Sequence, residues 1–437
     1  MSSLRSRMNR LTGSASIQAE LLSGAANREE NGHAEPAAET ANIIDLFEQL
    51  DPRWQSMNVQ LHHHEHGSFL LRRIRYPLST QHGYYALEQL QAAVNHLIPF
   101  HPTDQFNSTE LLFLDLETTG LGSGAGNIPF MTAIGYMEQD CYILEQAFIR
   151  HPAEEFAMLA YLLDKVRHFK VLVTYNGKTF DWPLIENRII MNGLSKKHSW
   201  KPLHIDLLHP SRSVWRNTLA SCKLSHVEEE RLGIDRVDDV PGTLAPQLYF
   251  QYLSEENPLI LKGVFQHNEL DILSLTALTI RFGELLGGQL VETLAPSLDI
   301  EELVRTGLWL EKMNASLLAE QYYKLAVNHK GNNIAALNML AARDKKAGNW
   351  DRAVLLWQKV ALQQQDKGDS RLDACIELAK YFEHKKKDYM LALDLATQAL
   401  DQLVSDPYAA LNRSKHRLEL DKHRQRIARL QRKLQHA

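Results

Sequence analysis

Between residues 109 and 288 the chain alternates short apolar runs with longer amphipathic stretches. Leu111 to Leu116 is apolar except at Asp115, which predicts a short buried strand. Phe130 to Met137 and Cys141 to Ile149 read as two more strands, with a hairpin turn at Glu138, Gln139 and Asp140 between them. Glu154 to Phe169 has the spacing of an amphipathic helix. Val171 to Tyr175 reads as a buried strand, followed by the turn Asn176-Gly177 and a helix from Phe180 to Met191. Leu203 to Leu208 is the last strand; a helical region follows, with a loop near Asp238 to Gly242, and Leu259 to Leu286 is helical. The order βββαβαβ, then α, predicts an α/β domain in which an antiparallel hairpin system is followed by crossover units.

The flanks differ. Residues 1–40 are small and polar and read as disordered. Residues 41–108 read as an N-terminal extension packing on the α/β domain. They begin with a short amphipathic helix, Ile43 to Leu50, ending before Pro52. Within the extension, His62, His63, His64 and His66 precede a turn at Gly67, and Arg72, Arg73 and Arg75 follow as a basic edge. The histidines lack carboxylate or thiolate partners at a defined spacing, so an exposed strand edge explains them better than a metal site. Residues 289–437 are wholly helical in pattern. Ala319, Tyr323 and Ala326 recur 34 residues later as Ala353, Trp357 and Val360, and again, after a polar insert at Asp366 to Ser370, as Ala392, Ala396 and Ala399. Gly307 and Ala341 stand twelve residues before the first two alanines. That period, with small residues where helices cross, predicts tetratricopeptide-like repeats. The basic tail from Asn412 to Leu434 carries Leu420, Ile427 and Leu434 seven apart. It reads either as a capping helix or as a phosphate-contacting arm.

Composition narrows the function classes. The 437 residues are 44% hydrophobic and 23% charged, with a net charge of -5, which argues against a wholly basic nucleic-acid binder but leaves room for local basic patches. Three scattered cysteines give neither a disulfide framework nor zinc spacing and fit a reducing cytoplasm. No apolar run is long enough for a membrane span, and the N-terminus does not read as a secretory signal.

The chemistry lies in three segments. LDLETTGL places Asp115 and Glu117 on one face of a strand. Two adjacent carboxylates repel each other, and a divalent metal is the natural counter-charge. YNGKTFD supplies Asn176 and Asp181 at a turn and helix start. HNELD puts His267 and Asp271 four apart on one helix face. Four carboxylates suit two hard cations about 4 Å apart, the arrangement for in-line displacement at phosphorus, with His267 as general base. The glycines at 120, 122, 124 and 126 do not make a phosphate loop, since no Lys-Ser/Thr follows.

With these segments in view, the element order is that of a ribonuclease H-like fold, and the motifs resemble the three exonuclease motifs of the DEDD superfamily. ETTGLGSGAGN, LVTYNGKTFDWP, HIDLLHPSRSVW, EEERLGI, DDVPG and GVFQHNELDILSL resemble the YprB-type ribonuclease H-like proteins, which carry tetratricopeptide repeats after the nuclease domain. The resemblance is close over residues 60–285 and looser over the repeats. It implies a 3′–5′ exonuclease using two ions, Mg²⁺ or Mn²⁺, with Asp115, Glu117, Asp181 and Asp271 as ligands and His267 as base. His267 stands four residues before Asp271, the spacing at which the superfamily's tyrosine branch places its tyrosine. Thr118 and Asn176 are candidate substrate contacts. Asp206 in HIDLL is either a structural cap or a support from outside the metal ligands. The family includes a mitomycin repair factor that acts beside a DEAD/DEAH-like helicase. DNA repair with a helicase held by the repeats is therefore the leading expectation. An RNA-processing exonuclease and a repeat-based scaffold with an inactive nuclease fold are the rivals.

Overall fold

The computed structural model describes residues 50–120, 126–197, 200–293, 298–331, 333–362, 369–405 and 413–436. The segment 1–40, nearly all of the helix expected at Ile43 to Leu50, Gly122, Gly124 and most of the polar insert lie outside these residues. From Pro52 onward the chain is one compact unit.

Seven strands form one mixed sheet: β1 Val59–His64, β2 Gly67–Pro77, β3 Leu111–Thr118, β4 Pro129–Glu138, β5 Cys141–Phe148, β6 Val171–Thr174 and β7 Leu203–Asp206. Their spatial order is β1-β2-β5-β4-β3-β6-β7. The β1, β2, β5, β4 and β3 pairings are antiparallel, and β6 and β7 continue from β3 in parallel. The hairpin-then-crossover order expected for a ribonuclease H-like fold is therefore present, and the N-terminal extension adds two strands to its free edge. β2 reaches that edge through a register from Leu70↔Phe148 to Pro77↔Cys141.

The helices of eight residues or more in this part are α1 Glu155–Val166, α2 Asp181–Met191, α3 Leu208–Trp215, α4 Ala245–Glu255 and α5 Lys262–Gly287. Strand alternation decides which helix each side chain meets. Leu112, Leu114 and Leu116 face the layer of α1 and α2, with Leu159, Leu162, Leu184 and Ile185. Leu111 and Phe113 face the other way, with Ile272, Leu275 and Leu278 of α5. Asp115 and Glu117 share that second parity, so the period of the strand aims both carboxylates at the helix that carries His267 and Asp271.

Beyond α5 the chain is all-helical: α6 Ile300–Lys312, α7 Ser316–Asn328, α8 Ile334–Ala347, α9 Trp350–Ala361, α10 Asp369–Tyr381, α11 Tyr389–Val404 and α12 Arg413–Gln435. The first six pair as successive hairpins. All nine residues of the recurring triplets are buried. Gly307 is required where α6 meets α7, because a Cβ there would lie 2.3 Å from the Tyr323 ring. In α12, His423 and Leu430 are buried and Ile427 packs on the core, while Arg429 and Lys433 bind the buried Glu383 at 2.8 and 2.9 Å. The tail is thus a helix laid against the array. The first hairpin is joined to the α/β domain by Trp215 Nε1, which donates to Glu302 at 2.8 Å, and by Arg231, also 2.8 Å from Glu302.

Candidate active site

Three elements end at one place. β3 delivers Asp115 and Glu117, and its pairing with β4 shifts register between Glu117 and Thr118, so the strand bends as it leaves the sheet. β6 ends at Thr174 and gives way to a tight turn. Asn176 adopts the left-handed conformation at φ 66°, which asparagine tolerates. Gly177 follows because a Cβ there would lie 2.5 Å from the Thr174 side chain. The turn sets Asp181 as the first residue of α2. α5 brings His267, Asn268 and Asp271 across the face of β3.

Charge reveals the grouping. Burial, then the charges of Asp271, Asp181 and Glu117, raise the Asp115 carboxyl well above its usual range. Burial, then Asp271, Asp181 and Asp239, do the same to Glu117. The Asp181 carboxyl is pushed up to about 7 by burial, with Asp206 and Asp271 adding to the effect. All four acids of the three segments therefore repel one another within one partly buried site.

Around them lie partners that the motifs do not announce. Asn268, fully buried, donates from Nδ2 to Asp115 Oδ2 at 2.8 Å, and its Oδ1 accepts from Gln146 at 2.8 Å. Asp239 lies 2.8 Å from His267 Nδ1, and His267 Nε2 is 3.5 Å from Asp271. Arg236 binds Asp271, Asp239 and the buried Glu228. Burial alone would lower the Arg236 guanidinium, but its bonds to Glu228 and the nearby Asp271 charge win and hold it firmly protonated. Asp239 and Arg236 belong to an irregular segment with no periodicity to read. Asn268 sits in plain view within HNELD, and only its burial marks it. The N-terminal extension braces the same helix: Arg72 of β2 is 2.6 Å from Glu269, and Tyr76 also donates to Glu269.

The other candidates are placed as follows. Asp206 accepts backbone N–H groups of Asn176 at 2.8 Å, Lys178 at 3.1 Å and Leu208 at 3.1 Å, so its carboxylate shapes the turn before Asp181. The Thr118 hydroxyl donates to the Gly120 carbonyl at 2.8 Å, and Asn176 Oδ1 accepts from Thr179 at 2.8 Å. His62 packs on Phe69 and Tyr161, and His64 lies 3.3 Å from Asp164, so these histidines belong to the edge strand.

Residues 112–282 match the family described as the RNase_H superfamily. The Bacillus subtilis (strain 168) protein named "Uncharacterized protein YprB" is 35% identical over 407 residues, covering 91% of this chain and 94% of that protein. The chain belongs to the YprB family of ribonuclease H-like proteins. A nuclease-like domain is thus followed by an all-helical stretch. The acids suit the divalent metals on which such domains generally rely: every donor is a hard oxygen, Glu117 and Asp181 are buried and Asp115 and Asp271 half-buried, and only Asp271 has a counter-charge. As they stand, no three His, Cys, Asp or Glu side chains among the described residues are disposed to hold an ion. Asp271 is turned to Arg236, and Asp115 to Asn268. No described helix is long and apolar enough to cross a membrane.

Proposed function

We propose that this protein is a divalent-metal-dependent 3′–5′ exonuclease hydrolysing phosphodiester bonds of DNA. The observation that carries the reading is the convergence of four carboxylates from three distant segments, with Asn268 of α5 bound to Asp115 at 2.8 Å and the charges of the other three acids felt at Asp115. A core built only for stability would not bury like charges together. Asp115, Glu117, Asp181 and Asp271 would hold two ions, Mg²⁺ or Mn²⁺. Bound there, the ions supply Lewis-acid activation of water and neutralise charge on the leaving oxygen.

The chain's own residues do the rest. Asn268 fixes the orientation of Asp115. Asp239 accepts the Nδ1–H of His267, which leaves Nε2, 3.5 Å from Asp271, as the unprotonated nitrogen that would take the proton of the attacking water. Arg236 holds one oxygen of Asp271 and so sets the rotamer of that acid. Asp206 shapes the turn that starts α2, and Thr118 and Asn176 flank the mouth of the site. The repair setting and a helicase partner on tetratricopeptide-like hairpins follow from the family resemblance, and a cytoplasmic location from the three scattered cysteines. Presence of all four acids weighs against an inactive scaffold.

The test is hydrolysis by the full-length protein of 3′- and 5′-labelled DNA and RNA strands in Mg²⁺, Mn²⁺ or EDTA, beside Asp181→Asn. Stepwise shortening from the 3′ end that requires metal and vanishes in the variant is expected, with DNA preferred. A wild type inert on every strand in both metals overturns the reading.

A further inference from the structure

The basic segments conspicuous in the sequence are largely spent on ion pairs. Arg72 binds Glu269 at 2.6 Å and Arg73 binds Glu138 at 3.2 Å. In the tail, Arg429 and Lys433 bind Glu383, and Lys422 binds Glu419 at 2.8 Å. The large cleft of the helical region, about 880 Å³, is lined by lysines of which most are also occupied: Lys345 and Lys380 both bind Glu377, at 2.5 and 2.6 Å, and Lys422 binds Glu419, while Lys346 has no ion pair among the described residues.

A row of unspent cations lies elsewhere. Two open clefts flank α3. The first, about 760 Å³, is lined by Tyr175, Asn176, Arg212, Arg216 and Lys223. The second, about 420 Å³, is lined by His209, Arg212, Arg216, Arg305 and Lys312. Arg212 and Arg216 line both, and their four-residue spacing puts them on one face of the helix. Arg212, Arg216, Lys223 and Lys312 are exposed, and none of them has an ion pair among the described residues. Arg305, by contrast, is bound to Glu301 at 2.8 Å. The near end of this row is Asn176, whose N–H is held by Asp206, and the Asp206 charge is felt at Asp181. The far end is Lys312, the last residue of α6. The row therefore runs from the carboxylate site to the first helical hairpin in a protein of net charge -5.

We propose that Arg212, Arg216, Lys223 and Lys312 form a track for the phosphodiester backbone of one nucleic-acid strand, leading from the four acids to the helical region. This rests on the nuclease reading. Cations without carboxylate partners are the ones free to exchange small counterions for phosphates. A single row suits a single backbone, and it would hold the strand while the acids act on its end.

The test is fluorescence anisotropy with the full-length protein and dye-labelled 15-residue oligo(dT) and oligo(rU), in Ca²⁺, over roughly 50–300 mM salt. Wild type is compared with R212A/R216A, R212K/R216K and, as control, R75A. The alanine pair is expected to weaken binding roughly tenfold and to make the slope of log K against log salt shallower by about 1.4, at about 0.7 per lost contact. The lysine pair restores the slope, and R75A leaves it unchanged. Circular dichroism checks that each variant is folded, and the two oligonucleotides distinguish the sugar. A wild type that binds while R212A/R216A binds equally, with the same slope, overturns the track and leaves the nuclease reading intact. A wild type that binds neither strand overturns both.

Discussion

The carboxylate site and the helical region both bury acids, and they treat them in opposite ways. In the helical region each of the most buried acids is given cations. Asp344 is bound by Arg343 at 2.7 Å and Arg352 at 2.6 Å, and Glu383 by Arg426, Arg429 and Lys433. Burial would raise the Glu383 carboxyl, yet the hydrogen bonds from Arg429 and Lys433 hold it down to about 2. At the carboxylate site, Asp115, Glu117 and Asp181 face one another, and their carboxyls are driven up. An acid with cations around it ties helices together. Acids facing one another hold repulsion that either proton uptake or a bound cation relieves, and near neutral pH the cation is the stronger remedy. The difference sets carboxylates that tie helices together apart from those proposed to hold metal.

The comparison can be broken first at Asp181. Asp181→Asn is expected to lower hydrolysis about 10³-fold or more, while the metal-free protein is as stable as wild type or more so, because one repelling charge is gone. Rate assays and thermal melting read the two effects. Asp344→Asn is the converse: it leaves two arginines short of their acid and is expected to cost about 3 kcal/mol in urea denaturation without preventing metal binding.

The two regions also respond to pH with opposite signs. Asp181, raised from 3.8 to about 7, contributes stability that is full below its unfolded value and is lost as pH rises through about 7. Glu383, lowered from 4.5 to about 2, contributes stability present above 4.5 and lost as pH falls through about 2. Melting of the metal-free wild type across that range should show both limbs, and Asp181→Asn should flatten only the neutral one. A smaller effect is expected at Asp239. Asp239→Asn should lower kcat roughly 10- to 100-fold with little change in KM and alter the pH profile, since it frees the His267 tautomer. The smallest effect is at Arg75, an exposed edge residue 4.0 Å from Glu138, where Arg75→Ala should change stability by about 0.5 kcal/mol or less.

Much of this was legible in the sequence because it is periodic. The run at Leu111 gave a strand whose alternation dictates where Asp115 and Glu117 point, and the 34-residue recurrence marked Ala319, Tyr323 and Ala326 as helix-crossing positions. The four acids were legible as motifs. Arg236 was not, and Asp239 was visible only as a letter of DDVPG, because an irregular loop has no period and their roles come from what the fold sets opposite them. Asn268 is one letter of HNELD, and only full burial distinguishes it from a solvated helix residue. The β1–β2 hairpin has the pattern of an edge, but its extension of the central sheet depends on β5, about seventy residues away in sequence. The unpaired state of Arg212 and Arg216 is likewise invisible in a sequence, where Arg429 looks no different.

The most direct test of the central claim, that the acids repel one another until cations bind, is the melting temperature of the full-length protein at pH 7.5. It would be measured in EDTA and in saturating Mn²⁺, for wild type and Asp181→Asn. The account predicts that Mn²⁺ raises the wild-type midpoint by several degrees through binding to the folded state. It also predicts that the variant in EDTA melts no lower than wild type and gains less from the metal. A wild type indifferent to Mn²⁺, or an Asp181→Asn variant that is less stable in EDTA, would contradict it.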